Sequence, residues 1–158
     1  MYTLGIDLHK KSSLWILIDE QRTELFKESV LVHPKDISIA LKKIHVPLEK
    51  IQVAIEPVCG FRWVTQLLEE AGMNVHIAHP RKVQLIAEST KKNDTEDAKT
   101  LANLLQSGFF PEARKASEEI YKLRLLLRER TFIVRLRTSV KNQLHGIATT
   151  QGLHHIKS

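Results

Sequence analysis

Cysteine is nearly missing from this chain: Cys59 is the single one in 158 residues. No internal disulfide can form, and a reducing cytoplasm is the natural setting. Long hydrophobic runs are missing as well. No stretch approaches the roughly 20 apolar residues a membrane-spanning helix needs, so no membrane partner is expected. The N-terminus, MYTLGIDLHK, lacks the basic-then-apolar layout of a secretory signal. There is no internal repeat and no glycine-rich phosphate loop. Eight histidines are scattered without zinc spacing, and one cysteine cannot complete a Cys/His site.

What is present is enough apolar residue, 42%, for one core, and a net charge of +6. The position of that charge matters more than its size. Between Lys122 and Lys141 stand Lys122, Arg124, Arg128, Arg130, Arg135, Arg137 and Lys141 against one acid, Glu129. The whole surplus therefore lies on one twenty-residue segment, and the rest of the chain is balanced. A local basic stripe is the electrostatic footprint of a polyanion partner.

Hydrophobic patterning divides the chain into elements. YTLGIDL reads as a buried first strand and SLWILID, Ser13 to Asp19, as a second. After the polar turn DEQRTE, Glu24 to Val32 alternates as a third, giving an antiparallel meander. Pro34 opens a helix through about Ile44. IQVAIEP, Ile51 to Pro57, is a fourth strand, and Phe61 to Ala71 a helix capped by Gly72. NVHIAHP, Asn74 to Pro80, is a fifth strand. Strand, helix and strand in this order imply right-handed parallel crossovers. A link follows, then a helix from about Asp94 to Gln106. From Ser117 to about Ile147 nothing stops a helix before Gly146. Leu126, Ile133, Leu136, Val140, Leu144 and Ile147 recur on one face of it. The expectation is an α/β fold of the RNase H-like (RuvC-like) type: a five-stranded mixed sheet with flanking helices over residues 1–110. Residues 111–158 then form a basic, coiled-coil-like helical arm. Trp15 and Trp63 read as core.

Four carboxylates can meet in such a fold. Asp7 ends the first strand and Glu56 the fourth. If those strands are parallel neighbours, their C-terminal ends converge where open α/β sheets place ligands. Asp94 and Asp97, three apart at a helix start, share a face. Crowded carboxylates repel unless divalent cations relieve them. All-oxygen ligation favours Mg2+ or Mn2+ over zinc. Each acid also has a structural reading. Asp7 and Glu56 can be strand-end residues facing a turn or solvent. KKNDTEDAKT, Lys91 to Thr100, by itself reads as a capped helix start with acids suited to the helix dipole. Glu96 lies off the Asp94/Asp97 face and reads as a solvated bystander. His9, two residues past Asp7, reads as a surface or packing residue.

GIDLHK, AIEP and KNDTEDA followed by LANLLQSG together resemble the DEDD-type insertion-sequence transposases, the group related to pilin-gene invertases. The resemblance covers essentially the whole chain. It implies a RuvC-like N-terminal domain whose catalytic, metal-holding acids are Asp7, Glu56, Asp94 and Asp97, with Gly5 and Lys10 matching the first motif. It implies Mg2+ or Mn2+ as cofactor and DNA as partner. A structured guide RNA is a further candidate partner. It also implies a bacterial or archaeal, nucleoid-associated cytoplasmic setting. Family members carry a catalytic serine in a C-terminal domain, and no serine of this chain takes that role, so the chain is expected to act as an N-terminal half. The arm bases Arg124, Arg128, Arg130, Arg135, Arg137 and Lys141, with Lys10, are the expected nucleic-acid contacts. The apolar stripe of the arm is the expected homo-oligomer interface. The alternative is a non-catalytic nucleic-acid-binding and dimerisation module, resting on the arm alone. A phosphotransfer domain of the sugar-kinase type opens with a similar Gly-x-Asp, but here Leu8-His9-Lys10 follows in place of glycine and a hydroxyl residue.

Overall fold

The computed structural model describes residues 1–58, 60–86 and 94–153, with the side chains of Gln84 and Asp94 outside that description. The strands are β1 (Tyr2–Leu8), β2 (Ser12–Ile18), β3 (Glu24–Leu31), β4 (Ile51–Ile55) and β5 (Asn74–Ile77). The helices are α1 (Pro34–Lys42), α2 (Phe61–Glu70), α3 (Pro80–Ile86), α4 (Asp94–Gln106) and α5 (Glu118–Thr150). Every residue of β1 from Thr3 onward is buried. A strand buried on both faces belongs mid-sheet under helices on both sides. The sheet order β3-β2-β1-β4-β5 puts it there. β1 pairs antiparallel with β2 and parallel with β4, and β4 pairs parallel with β5. This is a five-stranded mixed sheet with flanking helices, in the strand order expected from the sequence for an RNase H-like, RuvC-like domain.

Strand alternation sorts the two faces. Leu4, Ile6 and Leu8 of β1, Trp15 and Leu17 of β2, and Ile51, Val53 and Ile55 of β4 pack with Ile37 of α1 and with Val64 and Leu68 of α2. The Trp15 indole is satisfied within this layer, donating to Ser13 Oγ at 2.8 Å, while Ser13 Oγ donates to the Val30 carbonyl. On the other face Ile16 and Ile18 meet Ala98 and Ala102 of α4, and Ala54 meets Val83 of α3 and Leu101 of α4. Thr3, Gly5 and Asp7 have the parity of this second face.

Gly5 decides how closely α4 can lie on the sheet. A Cβ at that position would collide with the Ala98 carbonyl oxygen and stand 3.0 Å from the Ala102 amide nitrogen. The helix backbone therefore rests directly on the centre of β1. Alanines on α4 answer the glycine on the strand, with Ala98 and Ala102 both fully buried. The far end of the helix is tied down by Gln106, whose Nε2 donates to the Asp19 carbonyl at 2.8 Å.

Several boundaries shift from the sequence expectation for local reasons. β4 stops at Ile55, before Pro57, and β5 at Ile77. Pro80 opens α3 instead of closing the strand, since a missing N–H costs nothing in a first turn. Residues 111–113 add to the sheet edge: Ala78 bridges Glu112, and the His79 amide donates to the Pro111 carbonyl at 2.7 Å. The first compact unit accordingly runs Met1–Arg114 and the second Lys115–Ser158.

The second unit is dominated by α5, 33 residues long, or about 50 Å at 1.5 Å per residue. Ser117 caps its start, its Oγ accepting from the Ile120 amide, with Glu118 and Glu119 in the first turn. Gly146 does not end the helix, because one interior glycine costs only about 1 kcal/mol. Gly152, at φ 74°, does: Leu153 N donates to Ala148 O and Gly152 N to Thr149 O, a left-handed C-terminal cap. No helix among the described residues is long and apolar enough to cross a membrane.

Replacing Gly5 by alanine is expected to lower unfolding stability by about 1–3 kcal/mol, since backbone rather than a mobile side chain must give way. Urea unfolding followed by far-UV circular dichroism measures it. A change below 0.5 kcal/mol would mean that α4 slides freely on the sheet.

Candidate functional site

The β1–β4 register ends at Ile6 opposite Ile55. Asp7 and Glu56 are the next residues on each strand, so 49 residues of sequence separation close to neighbouring strand ends about 4.8 Å apart in backbone. Their parity is the same. Asp7 follows Gly5, and Glu56 follows Ala54, both of which meet α4 or its flank. Asp7 is only 7% exposed, and Glu56 is half-buried.

The first turn of α4 supplies the other two acids. Asp94 opens the helix one turn before Ala98, the residue seated over Gly5. Asp97 immediately precedes Ala98 and is half-buried. Glu96 is exposed, as expected of a residue roughly 160° round the helix from Ala98. The close approach at Gly5 thus fixes where the start of α4 sits along β1. Among the described residues no three His, Cys, Asp or Glu side chains form a group able to hold a metal. The Asp94 side chain and residues 87–93 lie outside those residues, as does Cys59.

A nearly buried carboxylate such as Asp7 is costly without compensation. Part of that compensation is His9, whose Nε2 stands 3.0 Å from Asp7 Oδ2. His9 is half exposed while Asp7 is not. The histidine read as a surface residue in sequence therefore touches the central acid. No spacing rule signals this contact, because His9 lies in the turn beyond β1. Lys10 is exposed in the β1–β2 turn, which the His9 amide closes on the Ser12 carbonyl at 2.9 Å.

The predicted basic residues of the arm are all exposed on α5. So is the apolar stripe: Leu126, Ile133, Leu136, Val140, Leu144 and Ile147 are each at least half exposed. Helical spacing separates the bases into two sets. Arg130, Arg137 and Lys141 flank the apolar stripe. Arg124, Arg128 and Arg135 stand on the opposite side, where with Leu127, Thr131 and Phe132 they line an open groove of about 530 Å³.

The sequence profile of the IS110-type DEDD transposases, a family described as transposase, matches residues 4–150. The chain belongs to this family. The match spans both the sheet domain and α5, so the arm is an integral part of the transposase chain. No curated protein matches it in sequence. Among solved structures, Thermus thermophilus RuvC in complex with Holliday junction substrate is similar at 16% identity and a TM-score of 0.46, over 72% of the transposase chain and 99% of the other. A second Thermus thermophilus RuvC structure is similar at 16% identity and a TM-score of 0.40, over 72% and 100%.

A structural carboxylate and a functional one respond oppositely to neutralisation. Asp7→Asn, which keeps the shape and removes the charge, is expected to leave cation-free stability unchanged or raised, as relief of a buried charge would do. Thermal unfolding in EDTA measures this. A loss above 1 kcal/mol would mark Asp7 as a folding residue.

Proposed function

We propose that the chain is the cation-binding domain of a DNA transposase, with Asp7, Glu56, Asp94 and Asp97 as its catalytic, metal-holding acids. The observation that carries this reading is the placement of Asp7. It is a nearly buried carboxylate at the C-terminal end of the central strand, next to the strand that Glu56 follows. The helix that begins with Asp94 is seated directly on that strand. The donors are all carboxylate oxygens, a set that suits Mg2+ or Mn2+. Bound there, divalent cations supply Lewis-acid stabilisation of the charge that develops on a phosphodiester. In this reading β1 holds Asp7, the residue after β4 is Glu56, and Gly5 sets the height of α4. His9 steadies the Asp7 carboxylate through its Nε2.

The family assignment and the conjunction of a strand-end acid pair with a basic helix favour an enzyme over a passive binding module. In this reading the sheet domain holds cations and the scissile DNA, and the arm contributes phosphate contacts through its arginines. The exposed apolar stripe of α5 is the self-association surface. A structured guide RNA is a second candidate ligand of the same bases.

Calorimetric titration with Mn2+ tests the site directly: the wild-type protein is expected to bind and Asp7→Ala to lose most of the heat. Mn2+ at 100 times its Kd should also stabilise the wild type by about 2.7 kcal/mol and leave Asp7→Asn unmoved. Equal binding by wild type and variant would sink the assignment. For the arm, replacing Leu136 and Val140 together by aspartate is expected to shift sedimentation towards a monomer with helix content kept. An unchanged sedimentation coefficient would remove the stripe as an interface.

A further inference from the structure

The groove on the outer side of α5 has a composition that phosphate contacts alone do not explain. Arg124, Arg128 and Arg135 line it along about 16 Å of helix rise. No acid among the described residues lines it. Glu129, the acid within the basic segment, lies one turn before Phe132 and outside this lining. Leu127 and Phe132 supply its apolar lining. Leu127 is 54% exposed and Phe132 62% exposed, and Phe132 stands between Arg128 and Arg135. The Thr131 hydroxyl is already committed, donating to the Leu127 carbonyl at 2.8 Å.

A duplex presents phosphates and sugars to a protein surface and keeps its base faces stacked inside. Against it, the arginines would be used and Phe132 would face the sugar edge or water. An unpaired strand presents both chemistries, phosphates for the guanidinium groups and a free base face for the aromatic ring. Arginine adds to this, because its planar cation both pairs with phosphate and stacks on rings. The bases flanking the apolar stripe, Arg130, Arg137 and Lys141, have no exposed aromatic residue between them on their side of the helix. The two sets are thus chemically distinct.

We propose that Arg124, Arg128, Arg135 and Phe132 form a site for an unpaired DNA strand, with the arginines on consecutive phosphates and Phe132 stacked on a base. This rests on the reading of the arm as a nucleic-acid surface and adds strand state to it. DNA is the committed ligand because the family acts on DNA. Breaking and rejoining DNA strands can expose unpaired segments, and a helix face of this composition suits them.

Fluorescence anisotropy with a labelled oligodeoxynucleotide of about 20 nucleotides, the matching blunt duplex and the matching RNA strand tests the proposal. Measurements are made on the full chain in EDTA, so that failure of the cation site has no bearing. The wild type is expected to prefer the single DNA strand. Phe132→Ala should lose roughly 5- to 100-fold on that strand and less than about 2-fold on the duplex, with Phe132→Tyr retaining the wild-type affinity. Joint replacement of Arg124, Arg128 and Arg135 by glutamine should weaken binding of both and lower the salt slope by about 2. Sedimentation of Phe132→Ala should match wild type. Equal binding of strand and duplex with no effect of Phe132→Ala overturns the unpaired-strand site while leaving the arm a nucleic-acid surface. Tighter binding of RNA than DNA overturns the choice of ligand. Reduced self-association of Phe132→Ala overturns it too, by making the ring part of the apolar interface. No binding of any nucleic acid by the wild type overturns the reading of the arm and this site together.

Discussion

The contact of α4 with Gly5 is the constraint on which the rest of the sheet domain depends. A glycine at the centre of a buried strand is unfavourable by itself, since it removes packing atoms and adds backbone entropy to the unfolded state. Here the missing side chain is replaced by the helix backbone, at a distance no larger residue allows. Two further features follow from it. The contacts nearest Gly5 on that face are alanines, Ala98 and Ala102, with Ile16, Ile18 and Leu101 around them, while the opposite face is built from leucine, isoleucine, valine and tryptophan. The helix start is also brought down to the level of the strand ends, and those ends carry Asp7 and Glu56. A side chain in place of Gly5 would push the backbone of α4 off the strand and lift its first turn with it.

The two compact units use charge in different ways. In the sheet domain one acid, Asp7, is the buried charge among the described residues, and His9 stands against it. Along α5 the cations are exposed and well solvated, so each contributes little to folding and remains available to a polyanion. The helix is held by local means, a serine cap and acids at its start and a left-handed cap at its end. Its apolar stripe gains nothing from this arrangement. Residues such as Ile133 and Leu144 are more than half exposed.

Much of the fold was legible in sequence because burial on both faces leaves a strong signal. YTLGIDL and IQVAI are continuous apolar runs, and their order with two helices leaves few topologies. The ends of β4, β5 and α5 were less legible. Pro80 can end a strand or begin a helix, and Gly146 can stop a helix or ride within one, and only packing chooses. The acids were legible as types and positions. That Asp7 and Glu56 share a face follows from strand parity once pairing is known. The touch of His9 on Asp7 follows from the side-chain geometry of one turn, and no spacing rule distinguishes it from a solvated histidine.

Sequence by itself determined the elements, their order, the basic segment and the four acids, because periodicity and composition are local properties of the chain. It also determined the family, since motifs in a fixed order are read without coordinates. Only the tertiary structure decided what Gly5 is for, because a close approach depends on a helix more than ninety residues away in sequence. Likewise, the arm arginines became two sets only when helical geometry placed Phe132 between three of them and the apolar stripe beside the rest. Residues far apart or on one helix turn acquire shared roles through distance and direction, and those are quantities a linear chain does not contain.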